Sequence, residues 1–184
     1  MPTISPLRPV RGAAAFLGAL ALGATFALTT ASAPARAAAA AVTCTGSHSV
    51  SYSPGLLLTP QPVAATARYA LAQCISTDPG VTAGTSTVTL TNTISCLTLD
   101  NAGTGVLTLD WSNGRSSTFT FTRTATHPAG QTVVLATGAI TGGEFAGDAA
   151  TLIATDLSVD LLACLAPPGV TGTSGRAVLT ITST

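Results

Sequence analysis

Apolar side chains return at every second position in one segment of the chain after another. Cys44, His48, Val50 and Tyr52 share one parity, and so do Val88, Leu90, Ile94 and Cys96. Leu107, Leu109 and Trp111 alternate with Thr108 and Asp110; Phe119 and Phe121 alternate with Thr118, Thr120 and Thr122; Ala177, Leu179 and Ile181 repeat the pattern near the C-terminus. Period two belongs to the β-strand, whose successive side chains point to opposite faces, so each segment predicts a strand with one apolar and one polar face. Val133 to Ile140 and Ala150 to Leu162 are more continuously apolar and are expected to be strands buried on both faces. Val63 to Cys74 fits two periods: a helical stripe of Val63, Ala67, Ala70, Leu71 and Cys74, or a strand face of Val63, Ala65, Ala67, Tyr69 and Leu71. The β pattern on either side favours the strand.

Turn chemistry falls between these runs. Asn113-Gly114 separates the Trp111 strand from the phenylalanine strand and predicts a type I′ hairpin, because Asn and Gly tolerate the positive φ angles that this turn requires. Asp78-Pro79-Gly80, Asn101-Ala102-Gly103, His127 to Gly130, Gly142-Gly143 and Pro167-Pro168-Gly169 mark the other breaks. Seven to nine strands with frequent turns predict an all-β, antiparallel sandwich of immunoglobulin-like architecture; a closed β-barrel is the alternative. No Trp lies between paired cysteines at the immunoglobulin spacing, and no Tyr stands two residues before Cys164, so the likeness is one of architecture alone.

The N-terminal stretch has a different grammar. Arg8 and Arg11 precede an uncharged run from Gly12 to Leu28, and a small-residue tract follows from Thr29 to Ala41 with an A-x-A site at Ala35-Arg36-Ala37. That order predicts a secretory signal peptide over residues 1–41 and a single mature domain over residues 42–184. The run is glycine-interrupted and shorter than the roughly 20 apolar residues of a membrane span. Thr43 before Cys44, where a lipoprotein has a small Gly or Ala, argues against lipidation. The protein is therefore expected to be secreted and extracellular, free in the medium or held at the cell wall. The chain has no lysine, and residues 42–184 carry four arginines against seven carboxylates, a net charge of −3. That balance excludes electrostatic binding to nucleic acid or to an anionic membrane.

Cys44, Cys74, Cys96 and Cys164 make an even count in an exported chain, which reads as two disulfides with three connectivities open. Cys44–Cys74 and Cys96–Cys164 are preferred, the first pair being neighbours in sequence and the second both ending apolar runs. The segments Cys44-Thr45-Gly46-Ser47, Tyr52 to Leu56, Ser95-Cys96-Leu97, Trp111 to Arg123, Phe145 to Asp148 and Asp160 to Val170 together resemble a group of small secreted actinobacterial proteins to which no activity is attached. The resemblance implies export and a β fold, and brings no site residues with it.

Local signals for chemistry are sparse. His48 shares a face with Cys44 and Val50 and is expected to be a hydrogen-bonded, partly buried structural histidine; His127 precedes Pro128 and is expected in a solvated loop. No G-x-S-x-G elbow exposes a serine. Asp156 and Asp160 are expected on the solvated face of one strand, about 13 Å apart and too far to share a cation; a calcium site would need Asp148 as well. Glu144 is the only glutamate, so a paired-glutamate glycosidase site is absent, although aspartate could substitute. Trp111, Phe119 and Phe121 occupy core positions, which leaves too few aromatics for a sugar-binding face. Arg123 continues the face of Phe119 and Phe121 and is expected to point inward or to the rim, paired with an aspartate at the sandwich end, with the anchoring of an anionic ligand as the functional alternative. No enzyme activity, cofactor or metal is expected. The function class favoured by elimination is an extracellular interaction or structural module with a protein or cell-wall partner. The alternatives are a small-molecule binder, marked by an apolar pocket in place of a filled core, or a protease inhibitor presenting Leu165 to Thr173.

Overall fold

The computed structural model describes residues 40–99 and 102–184; the predicted signal peptide, except its last two residues, lies outside them. The described residues form eight strands: β1 (Ala40–Leu56), β2 (Gln61–Ser76), β3 (Gly84–Ile94), β4 (Gly103–Trp111), β5 (Ser116–Thr126), β6 (Gln131–Gly143), β7 (Ala149–Leu157) and β8 (Val170–Thr182). Each pairs antiparallel with the next in sequence, and β8 returns to pair with β1, so the sheet closes into a barrel. The fold is all-β as expected, but the immunoglobulin-like sandwich is overturned in favour of the barrel. A sandwich needs connections that cross between two sheets; every connection here is a hairpin between neighbours, which leaves one sheet whose only second partner is itself. Segment 63–74 is strand, within β2.

Closure turns every strand into a two-faced element. Val63, Ala65, Ala67, Tyr69 and Leu71 of β2 face inward, in register with Tyr52, Val50 and His48 of β1. Thr118, Thr120, Thr122 and Thr124 of β5 face water, opposite Thr104 and Thr108 of β4 and Thr137 of β6. The expectation that β6 and β7 are buried on both faces fails for the same reason. Leu135 and Ile153 pair with each other on the outer surface, while Ala136, Ala150, Leu152 and Ala154 are buried. The apolar run in β7 stops at Leu157, and residues 158–169 form a loop containing one 3-10 turn, Ala163–Leu165.

One end of the barrel is plugged. Leu71, Val81, Leu109, Trp111, Phe119, Ile140, Leu179 and Ile181 pack there with almost no exposure. Trp111 meets Phe145 edge-on at 5.9 Å, and its indole N–H donates to Ser117 Oγ at 2.8 Å; the Ser117 hydroxyl donates in turn to the Glu144 carbonyl. The hairpin between β4 and β5 sits at this end, but not as a type I′ turn. Only Gly114 has positive φ (79°), and its N–H closes a turn onto the Trp111 carbonyl, a type I geometry followed by a left-handed glycine. Asn113 instead uses its side chain to accept the Arg115 N–H.

Both preferred disulfides form. Cys44–Cys74 joins residues directly opposite in the β1–β2 ladder, and Cys96–Cys164 joins the β3–β4 and β7–β8 loops at the end away from the plug. Two disulfides suit an oxidising, extracellular-type setting. No helix among the described residues is long and apolar enough to cross a membrane.

Candidate ligand-binding cavity

Beyond the plug the interior is hollow. Among larger inward residues such as Tyr69, Leu90, Phe121 and Arg123, many of the side chains that face inward along the rest of the strands are short: Ala65 and Ala67 on β2, Gly103 and Gly105 on β4, Ala136 on β6, Ala154 on β7. Eight strands enclose an interior that large side chains fill and small ones leave vacant. The vacancy here is a cavity of about 490 Å³, inside the range of roughly 300–1,000 Å³ usual for small-molecule sites. Gly105 contributes by yielding to a neighbour: a Cβ there would come within 2.6 Å of the Phe121 ring.

The wall is incomplete on one side. β3 and β4 share only the pairs Gly84–Trp111 and Thr85–Asp110, next to the plug. Further along, five consecutive residues of β4, Gly103 to Leu107, border the cavity, which requires the strand's edge and not just one face to reach it. Leu90 faces inward by its register with Ala65, yet is 56% exposed, and Val106 on the facing strand is 55% exposed. The space between β3 and β4 is thus an apolar-edged opening into the lumen.

Polar groups converge within these apolar walls. His48 Nδ1 lies 3.2 Å from Asp156 Oδ1, both side chains being buried. The Thr173 hydroxyl donates to Asp156 Oδ2 at 3.4 Å. The His48 ring stacks on Tyr69 with centroids 4.6 Å apart. Gly175, opposite Asp156 in the β7–β8 ladder, leaves the space the carboxylate occupies: a side chain there would collide with Asp156 Oδ1 and with the Thr155 carbonyl. Burial pushes the Tyr69 phenol up from 10.0 to about 12; the negative charge of Asp156 adds to the rise and Arg123 opposes it. Tyr69, Asp156 and Arg123 line one lumen.

The raised phenol gives a pH signature. Its folded pKa lies above the unfolded value, so the folded state disfavours phenolate; this contribution to stability is intact below pH 10 and is lost as the pH rises from about 10 through 12. In a Tyr52→Phe variant, which leaves Tyr69 as the only tyrosine, the 295 nm absorbance of phenolate should rise with a midpoint near pH 12. A midpoint near 10 would mean a hydroxyl open to bulk water.

His48 is the buried, hydrogen-bonded histidine its alternation predicted, and His127 is exposed in the β5–β6 turn. Arg123 does face inward, but no carboxylate lies within ion-pair distance of it among the described residues. Asp156 is the main correction. The continuous apolar run suggested that it pointed to solvent, whereas the register of β7 puts it inside with Leu152 and Ala154. Asp148 lies near the plug and Asp160 in the loop at the other end, so the three aspartates assemble no calcium site; no group of three or more His, Cys, Asp or Glu suited to a metal occurs among the described residues. Tyr69 was on the correct face in sequence but carried no signal of its role. Comparison with protein families, curated proteins and solved structures gives no match, and the site is defined by its own geometry: a plugged, antiparallel eight-stranded barrel whose mostly apolar lumen also carries His48, Tyr69, Arg123 and Asp156.

Proposed function

We propose that this chain is an extracellular small-molecule binder that holds an apolar ligand in the barrel lumen. The observation that carries this reading is the cavity of about 490 Å³ with apolar walls and an apolar-edged opening. A barrel evolved only for rigidity would gain stability from filling that volume, since larger apolar side chains bury more surface. The outer faces of β1, β3 and β5 are rows of threonine and serine, and the outward apolar residues Leu135, Ile153 and Val178 form one short stripe across β6–β8; this is unlike the continuous lipid-facing apolar band of a membrane barrel and supports a water-facing body. Export fits the disulfides and the predicted leader. Cleavage after Ala37 would leave β1 whole: Ala40 pairs with Thr182, and the buried Ala41 accepts the Thr77 N–H through its carbonyl.

The interaction-module reading has support from the exposed Leu97, Leu161, Leu162 and Leu165 on the two disulfide-linked loops. Those leucines are a surface patch, however, and the cavity is a volume with polar groups converging in it, the combination that marks a ligand site.

The test uses N-phenyl-1-naphthylamine, a neutral apolar dye that brightens when it leaves water. The protein should bind it saturably, and Ala67→Trp, which places an indole in the lumen from the middle of β2, should weaken binding at least about tenfold with the far-ultraviolet circular dichroism unchanged. Absence of binding to the unsubstituted protein, or equal binding to A67W, would remove the lumen as the site.

A further inference from the structure

We propose that the ligand is an amphiphile with an acidic headgroup, a carboxylate in its simplest form, and that Arg123 and Tyr69 hold this headgroup inside the lumen. The inference rests on the lumen being the binding site, and it follows from which polar groups there are already occupied. The charged or titratable side chains on the lining are His48, Arg123, Asp156 and the phenols of Tyr52 and Tyr69, and Tyr52 already has an interaction partner. Asp156 is satisfied at both oxygens, by His48 and by Thr173. It offers little to a cationic ligand without surrendering one of those bonds.

Arg123 is in the opposite situation. It is half-buried, faces the cavity, and has neither a carboxylate within ion-pair distance nor a hydrogen bond among the described residues. A guanidinium keeps its charge at any physiological pH. Burying such a charge beside apolar walls is unfavourable until an anion or water meets it, and its planar fork of donors matches a carboxylate in two-point geometry.

Tyr69 supplies a second donor. Its hydroxyl makes no hydrogen bond among the described residues, and it borders the same cavity. Because burial keeps the phenol protonated to about pH 12, it donates, and does not repel an anion, over the whole range in which a carboxylic acid is ionised. Tyr69 and Arg123 line the same cavity. Tyr69 and Phe121 pack against the plug, so the phenol lies towards the plugged end of the lumen. The apolar remainder of the ligand runs past Val88 and Leu90 towards the opening between β3 and β4.

The experiment displaces N-phenyl-1-naphthylamine with decanoate and, separately, with decanol at pH 8, so that chain length is constant and only the headgroup differs. The unsubstituted protein should bind decanoate about ten- to a hundredfold more tightly than decanol, the range expected for charge-assisted hydrogen bonds. Arg123→Gln should bring that ratio to within about threefold, and Tyr69→Phe should lower it in part. Arg115→Gln, an exposed arginine beside Glu144 at the plugged end, serves as the control and should leave the ratio unchanged. Equal affinities in the unsubstituted protein, or a preference that survives R123Q, would overturn the acidic headgroup while leaving the lumen site standing. A protein that binds neither the dye nor either competitor would overturn both.

Discussion

Phe119→Ala should lower the free energy of unfolding by about 3–5 kcal/mol, whereas Leu90→Ala should change it by less than about 1 kcal/mol. Both residues face the barrel interior, one on β5 and one on β3. By alternation alone they are equivalent. Phe119 is fully buried, stacks on Phe121 at 5.0 Å and lies within the plug; Leu90 borders a void and is 56% exposed. Removing the phenyl ring empties a space that the surrounding strands cannot collapse into, because their hydrogen-bonded ladders fix the spacing. Removing the leucine side chain adds only to a space already empty. Urea unfolding followed by Trp111, the single tryptophan and itself part of the plug, measures both costs. Equal costs would mean that the interior is uniformly packed and that the division into a filled and a hollow half is wrong.

That division shows how far the sequence reaches. Alternation identified the strands, because a strand's period is local and each inward residue is spaced two from the next. It also assigned the inward face of β2 through Tyr69 and that of β5 through Arg123. Closure was not legible. Whether β8 returns to β1 or crosses to a second sheet depends on pairing between residues as distant as Val42 and Ile181, and nothing in either strand's own pattern records its partner. The continuously apolar run from Ala150 to Leu162 hid the parity of β7, since Ile153 and Leu157 outside are as apolar as Leu152 inside. Asp156 was misplaced as a direct result. The parity was recoverable from one neighbour: Gly175 has no side chain where the carboxylate lies, but its meaning depends on knowing that β7 and β8 pair.

The cavity was hidden for a related reason. Alanine and glycine at inward positions look like a weak core in sequence, and only the enclosed geometry distinguishes a weak core from a binding site. Ala65, Ala67, Ala136 and Ala154 lie on three different strands, and their combined effect is a property of the closed barrel. Arg123 was legible as inward-facing because it extends the phenylalanine parity. That it meets no carboxylate among the described residues was not, because the chain has aspartates enough to supply one on paper.

Replacing both cysteines of the Cys96–Cys164 bridge by alanine should cost about 4 kcal/mol, the chain-entropy value for its sequence separation of 68 residues. For a domain of this size that corresponds to a fall in melting temperature of roughly 10–20 °C. The same replacement at Cys44–Cys74, with a separation of 30, has a slightly smaller entropic value, and its native effect is also more redundant, because the two residues are already paired in the β1–β2 ladder. Cys96 and Cys164 lie in loops. The Cys96 N–H donates to the Leu57 carbonyl and the Leu58 N–H donates to the Cys164 carbonyl, so the bridge holds the β3–β4 and β7–β8 loops against the turn between β1 and β2. Tyr52, Leu56 and Val63 pack beneath it as a second apolar cluster. Hydrogen exchange separates local from global effects: in the C96A/C164A protein the Leu58 and Cys96 amides should lose protection before the amides of β5 and β6 do. If those two amides instead keep the protection of the barrel strands, the second apolar cluster alone holds the loops in place, and the bridge acts only by restricting the unfolded chain.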